Sequence, residues 1–215
     1  MHRPGDDYPL TTTGYHTFYF SAENNNLSLQ TPKEHATSSY RANKWEEDRV
    51  QLLLLVPNTL KLFMSTDDND DRDVCVIMRK LDVDGNVPLN LIIDNLKLYK
   101  RNGPAARLCA SKRALGQDSM LSEEQRKQKI PNELWLPYDK EEKVQSGTIV
   151  ELNIPVWHTC IAFEAGESMR LEVNGHDYRL HEWADLGPLE NPNEGTHTAH
   201  TGEDYPSQMV LPLNI

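Results

Sequence analysis

Acyl transfer on a serine needs a nucleophile, a base and an orienting carboxylate within hydrogen-bond reach, and the nucleophile-elbow form of such a site is written Gly-x-Ser-x-Gly. The chain contains no such run. Ser119, in Gly116-Gln117-Asp118-Ser119, is the nearest imitation, and it lacks the second glycine and the strand-turn-helix setting. Eight histidines could lend a base to a site assembled from distant residues, but no local pattern singles one out. The acidic run at Asp67-Asp68-Asn69-Asp70-Asp71 puts Asp67, Asn69 and Asp71 at alternate positions, as a calcium loop does. An EF-hand loop would need glycine where Arg72 stands and a bidentate acid where Met78 stands, so a solvated inter-strand loop is the expectation.

His197 and His200 have the spacing of some zinc ligands, yet on a strand that spacing sends the two rings to opposite faces. Hydrogen bonding to the loop around Asn193 and Gly195 is their expected role. His158, His176 and His181 flank turns and read as surface or capping residues. Cys75, Cys109 and Cys160 are odd in number, far apart and set among apolar neighbours, which reads as reduced core thiols and not as a metal site or disulfide frame. No catalytic residue, metal ligand or cofactor site is assigned on these grounds.

The aromatics Trp135, Trp157, Trp183, Tyr138, Tyr178 and Tyr205 could stack a sugar, plug a core or dock a second domain. Trp157 reads as a core plug. Trp183, inside the loop from Arg179 to Leu189, is the best candidate for exposure. Trp183, Tyr178, His181 and Trp135 are therefore the candidate docking or ligand face, and the residue types do not separate those two uses.

The elements that must position these residues are strands. In Thr148 to Ile154, Val150, Leu152 and Ile154 fall on one side of a two-residue repeat and Glu151 and Asn153 on the other. Met169, Leu171 and Val173 alternate as cleanly with Ser168, Arg170 and Glu172, and between the two strands lie Trp157, Phe163 and the turn residues Ala165-Gly166. Further strands are expected at Tyr15 to Phe20, near Leu27 to Leu29, at Asp48 to Val56, Thr59 to Met64, Val74 to Leu81, about Leu89 to Tyr99, about Ala105 to Ser111, near His197 to Thr201 and near Gln208 to Leu213. Asp84-Gly85-Asn86 is a hairpin signal, and Pro57-Asn58 a turn. Ser122-Glu123-Glu124-Gln125 is a capping-box pattern opening one short helix, which Pro131 ends. Many short strands without alternating helices indicate an all-β sandwich or jelly roll and exclude a parallel α/β sheet.

Composition narrows the function classes. A net charge of -11 over 215 residues argues against nucleic acid, which needs clustered Lys and Arg. No apolar run is long enough to span a membrane, and the first residues, Met1 to Asp7, lack the apolar core of a secretory signal, so a cytoplasmic location is the default. The Asn26-Leu27-Ser28 sequon is then read as chance.

Trp157, five residues, then Phe163-Glu164-Ala165-Gly166-Glu167-Ser168-Met169-Arg170-Leu171 resembles the tryptophan, aromatic-x-Ala-Gly-x-x-Leu/Met-Arg-Leu run in the C-terminal, non-catalytic domain of X-prolyl dipeptidyl peptidases and cocaine-esterase-like acyl hydrolases. Asp71-Arg72-Asp73 and Arg79-Lys80-Leu81-Asp82-Val83-Asp84-Gly85 resemble that domain's Asp-x-Asp strand start and Leu-x-Asp-(few)-Asp-Gly turn. Ala110-Ser111-Lys112-Arg113-Ala114-Leu115 is similar to its Arg-Ala-Ser-x-Arg segment, Asn193-Glu194-Gly195-Thr196-His197 and His200-Thr201-Gly202 to its Asn-x-Gly-x-His and His-Thr-Gly, and Ser207 to Leu213 to its last strand. The resemblance runs from about Asp48 to Ile215, and departs from the family at Pro57-Asn58, where a longer connection containing Gly-Pro is usual.

The resemblance implies an all-β, jelly-roll (galactose-binding-like) antiparallel β-sandwich with long loops and at most one or two short helices. Residues 1–47 would be a lead segment packed on it, similar to the family's approach from the hydrolase domain, and 48–215 the sandwich, together one structural domain. It further implies a parent that hydrolyses peptides or esters, a partner α/β-hydrolase domain in cis or in trans, no cofactor, and an accessory role without catalysis, since the family's triad lies upstream of everything matched. The alternative is a free-standing carbohydrate- or protein-binding module.

Overall fold

Two-residue apolar alternation puts one face of a strand in a core, and a sandwich forms when two such faces meet. In the computed structural model, residues 14–42, 50–53, 59–68, 70–92, 97–100, 103–128, 133–156, 161, 163–177 and 193–213 are described, with 50–53, 89–92, 97–100, 128, 212 and 213 as backbone only. The strands are β1 Gly14–Ser21, β2 Asn26–Ser28, β3 Ala36–Arg41, β4 Val50–Leu53, β5 Thr59–Thr66, β6 Asp73–Leu81, β7 Leu89–Ile92, β8 Lys97–Lys100, β9 Ala105–Cys109, β10 Val150–Pro155, β11 Ser168–Asn174, β12 Thr196–Thr201 and β13 Gln208–Leu213. Between β9 and β10 lie two 3-10 turns, Ala110–Lys112 and Asp118–Met120, and one short helix, α1 Glu123–Gln128. Ser122 Oγ accepts the Gln125 N–H at 3.1 Å while Gln125 Oε1 accepts the Ser122 N–H at 2.8 Å, the capping box expected there. Pro131 lies outside the described residues. Among the described residues no helix is long and apolar enough to cross a membrane.

The chain is an all-β jelly-roll sandwich. One sheet has seven strands in the order β2-β1-β13-β5-β12-β3, with β10 also on β5, and the other has four in the order β4-β11-β6-β9. β5 is the axis of the larger sheet. Phe63 is paired with both Glu151 of β10 and His200 of β12, and Lys61 with both Asn153 of β10 and Gln208 of β13. β10 therefore takes one edge of β5, and β12 and β13 lie end to end along the other. Ser207 bridges their junction: its hydroxyl accepts the Phe63 N–H at 2.9 Å and donates to the His200 carbonyl at 2.7 Å, while its own carbonyl accepts the Phe20 N–H at 2.9 Å.

The core lies between the sheets. The larger sheet contributes Phe20, Tyr40, Leu60, Leu62, Met64, Leu152, Ile154, Met209 and Leu211, and the smaller one Val74, Val76, Met78, Leu108, Met169, Leu171 and Val173. Each such side chain is worth roughly 1.5–3 kcal/mol of transfer free energy when fully buried. Both predicted apolar faces, Val150-Leu152-Ile154 and Met169-Leu171-Val173, meet this core, with Val150 at its margin.

β10 and β11 belong to different sheets, so the chain between them crosses the sandwich. Three sequence expectations are corrected. The Asp84-Gly85 turn forms, with the Gly85 N–H donating to Asp82 O at 3.0 Å, but it closes no hairpin with β6. Both edges of β6 are already taken by β11 and β9, so the expected return strand from Leu89 to Tyr99 is replaced by the separate pair β7 and β8. The polar side of β11 is not solvent-facing: Glu172 is 1% exposed and bonds Arg79 Nε at 3.0 Å and Arg170 Nη2 at 2.7 Å. Mutual charge compensation makes that burial tolerable. Finally, the polar stretch before Trp45 holds a third strand, β3, which pairs with β12, while β1 pairs with β13.

Ser207→Ala leaves the part-buried Phe63 N–H and the buried His200 carbonyl without their hydroxyl. It is expected to lower the unfolding free energy by about 1–3 kcal/mol, read as a lower urea midpoint at unchanged m.

Candidate functional site

The polar residues the sequence singles out gather along the segment from Asn193 to Ser207. Asn193 is buried and acts as a bracket between the sheets: Oδ1 accepts the Asp73 N–H at 2.8 Å, and Nδ2 donates to Asp73 O at 2.9 Å and to the carbonyl of Gly175. Gly195, at φ +73°, passes so close to the acidic loop that a Cβ there would stand 2.4 Å from that of Asp68. Thr201 Oγ1 accepts the Ala22 N–H and donates to Ala36 O, both at 3.2 Å. Gly202, at φ +126°, lies against the backbone of Glu34 and His35.

His197 and His200 do point to opposite faces, as their spacing predicts. The expectation that they bond the loop around Asn193 is corrected. His197 turns into the core, where Nδ1 meets Tyr40 OH at 3.3 Å, and His200 turns to the outer face of the larger sheet. There its Nε2 is 2.8 Å from Ser65 Oγ and its Nδ1 is 3.1 Å from His35 Nε2, with the Tyr205 ring packed on both histidines.

A serine, a histidine and a second histidine in line are two-thirds of a proton relay. With the proton of His200 on Nδ1, its Nε2 accepts from Ser65 and its Nδ1–H donates to His35. The set nevertheless lacks what acyl transfer requires. Among the described residues no carboxylate bonds either histidine, and burial, then His35 and Arg72, push the His200 pKa down, so the imidazolium that forms on taking the serine proton is disfavoured. Ser65 also stands inside β5, paired with Thr198 of β12, and a sheet interior presents no free pair of N–H groups to hold an oxyanion. No local sequence signal could have found this contact, because His35 and His200 are 165 residues apart.

The second serine-or-cysteine cluster is inert for a different reason. Cys109 Sγ donates to Asp71 at 3.1 Å and touches Ser111 Oγ at 3.3 Å. Burial raises the Cys109 pKa, and Asp71 and Asp73 add to it against the opposing hydrogen bond with Ser111, so the reactive thiolate is suppressed. Cys109 is a free thiol, Cys75 is buried in β6, and Cys160 lies outside the described residues.

The acidic run is engaged by protein donors. Asp67 Oδ1 accepts the Thr196 N–H at 2.7 Å, Asp71 accepts the Ser111 N–H at 3.0 Å, and Lys143 Nζ reaches Asp70 and Asp71 at 3.4 and 3.5 Å. Burial opposes the charge on Asp71, but the bonds from Ser111, Cys109 and the Arg72 N–H outweigh it and hold its carboxyl below the usual range. Among the described residues no group of three or more His, Cys, Asp or Glu could hold a metal ion.

Of the candidate docking face, Trp183, Tyr178 and His181 lie outside the described residues, as do Trp157 and His158. Trp135 is half-buried: its ring lies over Gly116, where a Cβ would come within 2.3 Å of it, and its carbonyl accepts the Gly116 N–H at 2.9 Å. The same excursion between β9 and β10 exposes Leu115, Met120 and Tyr138.

Comparison with known proteins agrees with this geometry. The family model described as "X-Pro dipeptidyl-peptidase C-terminal non-catalytic domain" matches residues 57–210. Two crystal structures of a CocE/NonD family hydrolase from Staphylococcus aureus superpose with a TM-score of 0.76 at 21% and 22% identity, covering 98% and 99% of this chain and 38% and 39% of theirs. An aminopeptidase from a marine sediment Thaumarchaeota archaeon superposes at a TM-score of 0.58 and 14% identity, covering 96% of this chain and 38% of its own. At these identities the likeness is one of fold, and the chain spans under half the length of these proteins. No curated protein matches the sequence.

Burial, with Arg72 adding to it and Asp67 and Asp73 opposing, lowers the His197 pKa from 6.5 to about 4. The folded pKa thus lies below the unfolded one, so the fold favours the neutral ring: stability is unaffected above pH 6.5 and falls as pH drops from there to about 4. About 3 kcal/mol should be lost across that window. Urea unfolding through it should show a shallower decline for His197→Gln than for the wild type.

Proposed function

Because the chain belongs to the family of X-Pro dipeptidyl-peptidase C-terminal non-catalytic domains, we propose that it serves as the accessory β-sandwich of a serine hydrolase and cleaves no bond itself. The parent reaction is hydrolysis of a peptide or ester, of the dipeptidyl-peptidase type, at a triad on an α/β-hydrolase domain joined in cis or bound in trans. The observation that carries the non-catalytic part is the Ser65–His200–His35 contact: a serine–histidine pair is present, yet among the described residues the carboxylate and the oxyanion donors that would make it a site are not beside it. An accessory domain in this position can shape access to a cleft and stabilise its partner without lowering the chemical barrier.

Residues 1–47 and 48–215 act in this reading as one domain, supported by the pairing of β1 with β13 and of β3 with β12. The face that meets the hydrolase domain includes Trp135 and, with it, Trp183, Tyr178 and His181. Leu115 and Met120, exposed on the Trp135 excursion, suit a protein partner better than a sugar, which stacks on flat rings and gains little from isolated aliphatic side chains. A reducing, cytoplasmic setting fits the free thiol at Cys109. Nucleic acid and membrane are not partners in this reading, in keeping with the acidic net charge of -11.

The purified chain should give no turnover of an activated ester or an Xaa-Pro anilide above buffer. Turnover abolished by a serine-directed inhibitor, and lost in Ser65→Ala, would overturn the proposal.

A further inference from the structure

We propose that Arg72, Thr66 and His197 form a buried site for a small monovalent anion of the halide class, seated between the two sheets. The walls of the site are a cross-strand row on the inner face of the larger sheet. Tyr40 of β3 is paired with His197 of β12, and His197 with Thr66 of β5. Arg72, just ahead of β6, reaches this row from the other sheet: its Nη2 donates to Met64 O at 2.8 Å, on the same strand as Thr66.

Four polar atoms here are buried and have no hydrogen-bond partner among the described residues: Arg72 Nε and Nη1, His197 Nε2 and Thr66 Oγ1. All four can act as donors together. The guanidinium can only donate. Burial holds Tyr40 as the phenol, and with its hydroxyl donating to His197 Nδ1 the ring proton is left on Nε2. Thr66 can donate as well. The complement to donors on three side chains is a single acceptor, and the charge decides its kind. Arg72 is 1% exposed, and among the described residues no carboxylate is within ion-pair reach of its guanidinium; Asp71 is turned to the Ser111 N–H and the Cys109 thiol. A water molecule would satisfy the donors and leave the buried cation uncompensated, whereas a halide satisfies both requirements.

Crystals of the chain soaked in bromide should show an anomalous peak in contact with Arg72 Nε and Nη1. Replacing gluconate by chloride or bromide at constant ionic strength should raise Tm by about 2–4 °C, the shift for a domain of this size with ligand several-fold above its Kd. That rise should vanish in Arg72→Met and shrink in Thr66→Val, the second variant serving if the first does not fold. An oxygen-sized peak without anomalous signal, or a wild-type Tm indifferent to halide, would overturn the proposal.

Discussion

Two strands that run end to end along one edge of β5 leave a break in the ladder, and the larger sheet depends on how that break is closed. The chain leaves β12 after Thr201, turns over Gly202 and returns as β13 at Gln208. At the junction the Phe63 N–H and the His200 carbonyl stand opposite each other with the Ser207 hydroxyl between them, accepting from one and donating to the other. A buried ladder with an unmade bond costs free energy comparable to the bond itself, so a hydroxyl there is a structural requirement. The outer neighbours follow the same division, β3 along β12 and β1 along β13, which brings the first described strand and the last into one sheet.

The resemblance-bearing residues around that junction are explained by packing and not by chemistry. Asn193 ties the start of β6 to the turn after β11, Gly195 lets the chain pass the acidic loop, Thr201 bridges the ends of β1 and β3, and Gly202 makes room for Glu34 and His35. Each solves a local problem of close approach or unsatisfied backbone. Together they leave a polar outer face, Ser65, His200, His35 and Tyr205, in which the backbone of Ser65 and His200 is committed to the sheet. A catalytic serine needs free N–H groups and a charge-stabilised base, and a saturated ladder denies the first of these by construction.

The buried charges show two solutions to one problem. Glu172 is flanked by Arg79 and Arg170, so the charge is compensated where it lies and the outer face of the smaller sheet can be covered. Arg72 has a carbonyl and the polar row of Tyr40, His197 and Thr66 instead. Its depressed pKa, caused first by burial, and the lowered pKa of His197 are signs of the same low-dielectric site between the sheets. The acidic loop beside it draws its order from backbone donors at Arg72, Ser111 and Thr196 and from Lys143.

How far this architecture could be read in the chain alone divides along a physical line. Alternation identified β10 and β11 and the apolar faces they bury, because a two-residue repeat is a property of one segment. The capping box at Ser122 to Gln125 was readable for the same reason, and the opposite facing of His197 and His200 follows from strand geometry. Partners could not be read. The Asp84-Gly85 turn signals a reversal but not that both edges of β6 are occupied, and a polar residue in an alternating strand signals its side but not whether that side is covered, which is why Glu172 was misplaced. β3, His35 beside His200, and Arg72 beneath the row of Tyr40, His197 and Thr66 are long-range juxtapositions with no local signature. The sequence determined which stretches become strands and which of their faces are apolar. The tertiary structure alone decided which edges pair and which charges meet, since those depend on the closure of two sheets over one core.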